Sequence, residues 1–175
     1  MLQLKCTQKV QRELGLKLED TTDARKESSL LGSWYVNLFL VNRRKTFIFM
    51  SEKTLLSFII FGVKKSNVQK MPEVFLRGLD QVLTLEGFSI SEVNRVFKGY
   101  ESPELTKTDS RSLLGNMNDL TCLYKQFILS EGGLNTCNLN GIISQVNRTP
   151  QRNLDWLKSI EVVRNVLQEC ARTTT

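Results

Sequence analysis

Trp34-Tyr35-Val36-Asn37-Leu38-Phe39-Leu40-Val41, then Asn42-Arg43-Arg44-Lys45, then Thr46-Phe47-Ile48-Phe49-Met50, is the stretch that decides the fold. Two runs rich in aromatic and β-branched residues flank four polar ones, which is the pattern of a β-hairpin. Three of the four intervening residues are cations, so the hairpin carries a basic tip.

Outward from the hairpin, strands and helices of unequal length alternate. Leu2 and Leu4 alternate with Gln3 and Lys5 as a short strand, and Thr7 and Gly15 bracket a helix over 8–14. Lys17 to Ser29 is polar, with almost nothing to bury, and reads as an exposed, mobile loop. Ser51 to Phe61 is ambiguous, with strand character at its end. Pro72 opens a helix whose Val74, Phe75, Leu79, Val82 and Leu83 recur at helical spacing, and Gly87 stops it. Ser89-Ile90-Ser91-Glu92 has capping-box spacing and opens a shorter helix closed by Gly99. Glu104 to Thr108 is a candidate strand. Asp109 or Ser110 caps a long helix to about Ser130, which Gly132-Gly133 break. Leu134 to Arg148 is less regular. Thr149-Pro150 begins a last helix with Trp156, Leu157, Ile160, Val163, Leu167 and Cys170 on one face, and Thr173 to Thr175 fray. The order predicts an α+β fold: an N-terminal strand and helix, a central antiparallel hairpin sheet, and several packing helices. At 175 residues the whole chain reads as one domain.

The net charge of +6 is unevenly placed. Residues 42–77 hold eight cations (Arg43, Arg44, Lys45, Lys53, Lys64, Lys65, Lys70 and Arg77) against Glu52 and Glu73, so this segment accounts for the whole excess. Clustered positive charge attracts polyanions and gains affinity by releasing their counterions; it also serves as a merely solvated surface. No dense basic run, helix-turn-helix, finger or RNA-recognition motif accompanies it.

The sequence has no histidine, which removes Ser-His-Asp and Cys-His nucleophile systems and His-dependent ribonuclease chemistry. Cys6, Cys122, Cys137 and Cys170 are widely spaced, without a Cys-x-x-Cys pair, and read as reduced thiols, mostly buried. Neither a metal nor a cofactor is expected, and the phosphate-loop and dinucleotide fingerprints are absent. No apolar run is long enough to span a bilayer and the N-terminus does not read as a signal peptide, so the expectation is a cytoplasmic protein. Trp34 and Tyr35 could stack on a base, but in a hairpin such residues are more often core. Asn147-Arg148-Thr149 has only the spacing of a glycosylation sequon.

Lys107 to Asp119 is the other informative stretch. Read as a helix from Ser110, it puts Leu113, Met117, Leu120, Tyr124, Phe127 and Ile128 on one face and Arg111, Gly115, Asn118 and Cys122 on the opposite face, with Asn116 and Asp119 beside it. A mid-helix glycine costs about 1 kcal/mol relative to alanine. A steric reason is expected for it: a ligand or another backbone approaching Gly115 closely. Arg111, Gly115, Asn116, Asn118 and Asp119, with Arg43, Arg44 and Lys45, are therefore the candidate ligand-binding residues. A covering chain segment is the structural alternative.

Arg111-Ser112-x-Leu114-Gly115-x-Met117-Asn118-Asp119, with Leu31-Gly32-Ser33-Trp34-Tyr35-Val36-Asn37 and Ser51-Glu52-Lys53-Thr54-Leu55-Leu56, resembles a family of small bacterial and phage proteins known only as a domain of unknown function. The likeness runs from the N-terminal strand through Asn147-Arg148-Thr149-Pro150. It implies a bacterial, single-domain, cytosolic protein and no particular activity. Three functions follow as expectations. The leading one is a module that binds a polyanion, RNA or DNA or a phosphate-bearing ligand. The second is a histidine-free ribonuclease-type toxin, with Arg111 or Lys107 on the phosphorane and Asp119 or Tyr35 moving protons. The third is a protein-interaction factor such as an antitoxin or phage inhibitor, acting through a protein partner.

Overall fold

The computed structural model describes residues 2–17, 20–23, 25, 29–62, 70–100 and 103–173. Five strands form one mixed sheet: β1 (Leu2–Cys6), β2 (Trp34–Val41), β3 (Arg44–Ser51), β4 (Ser57–Phe61) and β5 (Pro103–Lys107), in the order β4-β3-β2-β1-β5. The predicted hairpin is β2–β3, antiparallel along its whole length from Trp34↔Ser51 to Val41↔Arg44. Its turn is only Asn42-Arg43, both at positive φ (48° and 61°), the geometry that lets a two-residue loop follow the strand twist. Arg44 and Lys45 thus belong to β3 rather than to the tip. The sheet is not wholly antiparallel: β1 runs parallel to both β2 and β5.

The helices are α1 (Gln8–Leu14), α2 (Met71–Leu85), α3 (Ile90–Lys98), α4 (Arg111–Ser130), α5 (Leu139–Asn147) and α6 (Ser159–Thr173). The capping box of α3 forms as read, with the Ser89 hydroxyl accepting from Glu92 N–H and the Glu92 carboxylate accepting from Ser89 N–H. Ser110 caps α4 by accepting from Leu113 N–H. Thr7 stands at the N-cap of α1, but its hydroxyl donates to Asn37 Oδ1 instead of capping.

Three expectations need correction. Residues 139–147, read as irregular, form α5, capped by Asn138; four polar residues in nine blur its apolar period. The last helix starts at Ser159, not Thr149, because Pro150 pairs with Lys158 in a small loop with Asp155 and Trp156 at positive φ. Trp156 and Leu157 therefore leave the buried face and are 68% and 43% exposed. Among the cysteines only Cys6 is buried, its thiol pKa pushed up to about 12 by desolvation, while Cys122 is exposed.

Of the stretch read as a polar loop, Thr22 and Arg25 are tied to the sheet. Thr22 N–H donates to Leu105 C=O, and the Gln3 side chain exchanges two hydrogen bonds with the Arg25 main chain. The remainder of that loop, residues 174 and 175 of the frayed tail, and Lys64 and Lys65 lie outside the described residues or are only partly described.

The core occupies both faces of the sheet. On one, Trp34, Phe49, Phe58 and Phe75 of α2 form an aromatic cluster with ring centroids 4.9–5.8 Å apart. Trp34 Nε1–H donates to the Tyr100 hydroxyl at 2.8 Å, satisfying the indole in an apolar setting. Both Trp34 and Tyr35 are fully buried, so neither is a stacking platform. Gly78 lets α2 close on this cluster: a Cβ there would lie 2.5 Å from the Phe58 ring. On the other face α4 lies along β2, burying Met117, Leu120, Tyr124 and Ile128 as its apolar stripe predicts.

Candidate functional site

The structure separates the two groups of predicted binding residues. The hairpin tip is bound at the C-terminal end of α4, where Asn42 Oδ1 accepts from Leu134 N–H at 3.1 Å. Arg111 is at the other end of the same 20-residue helix, about 30 Å away at 1.5 Å per residue. Arg43, Arg44 and Lys45 therefore do not form one contact with Arg111, Asn116, Asn118 and Asp119.

At the N-terminal end of α4, Arg111, Gly115, Asn118 and Asp119 are exposed, so no described chain segment covers that face. Asn116 is hydrogen-bonded to the Asn153 side chain. A Cβ at Gly115 meets nothing within 4 Å among the described residues, so none of them supplies a packing reason for the glycine. Gly115→Ala is accordingly expected to stabilise the isolated protein by up to about 1 kcal/mol, read as a higher midpoint in a thermal melt. A lower midpoint would show that something packs there.

Beneath this end of α4 lies a charged cluster that patterning did not single out. Lys5 on β1, 4% exposed, donates to Asp109 Oδ2 at 2.9 Å and Glu52 Oε2 at 2.9 Å. The neighbouring Tyr35, paired with Lys5 in the parallel register, donates its hydroxyl to Asp109 Oδ1. Glu52 Oε1 also accepts from Ser33 N–H. Burial pulls the ammonium pKa of Lys5 down, and the hydrogen bonds and charges of Asp109 and Glu52 more than reverse it, so it stays charged. Burial raises the Asp109 carboxyl, but the Tyr35 hydroxyl and Lys5 overcome it and hold it below its usual range. Burial, then the Asp109 hydrogen bond, raises Tyr35. A buried phenol tied in this way is poorly placed for the proton transfer assigned to Tyr35 in a nuclease. The cluster fixes where β1, β2, the end of β3 and the start of α4 meet.

At the other end, a cleft of about 580 Å³ is lined by Lys9 and Arg12 of α1, Lys45 of β3, Lys125 of α4, and Leu38, Phe39 and Leu40 of β2. Successive strand residues point to opposite faces. Leu38, Phe39 and Leu40 can share one cleft only because it runs along the edge of β2. Lys9 and Arg12 are three apart and share a helix face. Lys45 is paired with Glu13 at 2.7 Å, the only acid among the described lining residues, and Lys125 stands over the Phe39 ring at 5.6 Å. Among the described residues, three cations are thus left without an acidic partner in this concavity. Only Lys45 of these was singled out from sequence, since Lys9, Arg12 and Lys125 lie outside the basic segment and reach the cleft through the tertiary fold.

A second cleft, about 340 Å³, opens at β4 between α2 and α5 and is lined mainly by apolar side chains such as Val74, Ile60 and Ile143. No group of three or more His, Cys, Asp or Glu residues that could hold a metal occurs among the described residues, and no described helix is long and apolar enough to cross a membrane.

The fold and its surface define a mixed-sheet α+β domain with a basic edge cleft. The chain matches the model of DUF6933, a domain of unknown function, over residues 3–162, and belongs to that family. No curated protein matches it.

Proposed function

We propose that the protein binds a phosphate-bearing polyanion, nucleic acid foremost, in the cleft beside the β2–β3 hairpin. The observation that carries this is the convergence of Lys9, Arg12, Lys45 and Lys125, from three separate elements, on one concavity with Glu13 as its single acid. Arg43 is exposed at the hairpin turn, whereas Arg44 stands over the Phe61 ring of β4 at 6.0 Å. A low-dielectric wall of Leu38, Phe39 and Leu40 strengthens the field the cations present. Apart from Glu13, the described lining is cationic and apolar, which supports a reading of binding.

Reversing two of the unopposed cations, Arg12→Glu with Lys125→Glu, is expected to weaken binding and to reduce the slope of log K against log salt by about 2. Both residues lie at the surface, so the thermal melt is expected to change little. Titration with labelled RNA and DNA at several salt concentrations measures this. Undiminished binding by the double variant would remove the cleft as the contact surface.

A further inference from the structure

We infer that the cleft selects single-stranded nucleic acid over duplex, with phosphates on the cations and a base against the free edge of β2. This rests on the polyanion reading and adds the form of the ligand. β3 pairs with all of Trp34–Val41, but β1 pairs only with Trp34, Tyr35 and Val36. Beyond Val36 that side of β2 has no strand neighbour among the described residues. Val36 C=O accepts from Thr7 N–H, and Leu38 N–H donates to Asn37 Oδ1 at 2.8 Å, which shows that the even-numbered residues direct their main chain to this edge. By the two-residue period, Leu40 N–H and C=O face the same way. The Leu40 side chain is 60% exposed beside them.

A duplex offers phosphates to the cations but no base face to this ledge, because its bases are stacked on one another and only their edges reach the grooves. A single strand offers phosphates, an apolar base face for the Leu38–Leu40 ledge, and a base edge able to meet one donor and one acceptor. The cleft volume lies in the range of sites for small molecules, about 300–1,000 Å³, which suits a nucleotide or two. An acidic peptide adding as a strand needs a longer run of free main chain. Here Leu38 N–H is already taken, and only the Leu38 carbonyl and Leu40 remain on that edge before the turn.

The test is fluorescence anisotropy with the intact protein and labelled single strands of about 12 nucleotides, within the usual site size. The matching blunt duplex and polyglutamate are measured alongside, at low and moderate salt. Single strands are expected to bind about tenfold tighter than duplex. Leu40→Ala, a change at an exposed side chain checked by an unaltered melt, is expected to lower single-strand affinity several-fold and duplex affinity by much less. Equal affinity for both nucleic acids overturns this inference while the polyanion reading stands. Polyglutamate binding as tightly as single strands overturns it in favour of an acidic peptide. No salt-sensitive binding to any probe overturns both.

Discussion

Lys5→Met is expected to cost about 2–4 kcal/mol of stability. Removing one partner of a buried ion pair costs about 3–5 kcal/mol, because the other charge is left desolvated. The Asp109 side chain is 46% exposed and that of Glu52 20%, so water takes over part of the loss, which places the expectation below the full range. The methionine fills most of the lysine stem's volume, so the lost term is electrostatic rather than a cavity. Adding Glu52→Gln and Asp109→Asn removes the orphaned carboxylates and is expected to recover much of the loss. Urea melts of the single and triple variants measure this; a single variant within about 0.5 kcal/mol of the parent would show the cluster to be energetically idle.

The same cluster sets a pH dependence of stability. Lys5 has a raised pKa in the folded protein, so its contribution is complete below the unfolded lysine value, about 10.4, and fades as pH rises through the folded value. Asp109 has a lowered pKa, so its contribution is present above the unfolded aspartate value, about 3.9, and fades as pH falls through the folded value. The cluster thus adds a plateau between about pH 4 and pH 10. Lys5→Met is expected to lower that plateau and to shrink the alkaline decline.

Local signals set the strands and most helices because propensity, capping and tertiary packing agree there. The β2–β3 hairpin, the Ser89 capping box and the α4 stripe are all of this kind. The sequence reading failed where long-range pairing decides the outcome. The parallel partners of β1 lie about 30 and 100 positions away in the register Leu4↔Trp34 and Leu4↔Leu105, and no local pattern encodes them. Lys5 reads as an outward-facing residue on an alternating strand, and becomes internal only because Asp109 and Glu52 arrive from distant loops. Charge counting located the hairpin's share of the basic cleft, but Lys9, Arg12 and Lys125 join it from three-dimensional placement alone. Gly115, whose place in a helix predicts a close neighbour, has none among the described residues within 4 Å of where a Cβ would lie.

Asn147→Leu is expected to cost about 2–6 kcal/mol, through an interaction that the sequon spacing hides. Asn147 is 1% exposed and ends α5 against the outer edge of β4. Its amide behaves as a missing strand: Oδ1 accepts from Ser57 N–H at 2.9 Å and Nδ2–H donates to Ser57 C=O at 2.7 Å. Ser57 is fully buried, and among the described residues β4 has only β3 as a strand neighbour, so no other described main chain replaces these bonds. Leucine has the same number of side-chain heavy atoms but neither donor nor acceptor, so it leaves both main-chain groups buried and unpaired, at about 1–3 kcal/mol each. Tyr124→Phe is the matched control. It removes the 3.0 Å hydroxyl contact to Ser57 Oγ and leaves the main-chain pair intact, so about 1 kcal/mol is expected. The neighbouring Arg148, forked onto Glu86 with nitrogen–oxygen distances of 2.8 and 2.6 Å, holds α5 to the end of α2 in both variants. The helix therefore stays docked while the edge strand loses its partner. Urea unfolding separates the two substitutions, and hydrogen exchange at Ser57 N–H, protected in the parent and in Tyr124→Phe, is expected to speed up in Asn147→Leu. Equal stability of the two variants would show that β4 does not depend on the asparagine for its outer hydrogen bonds.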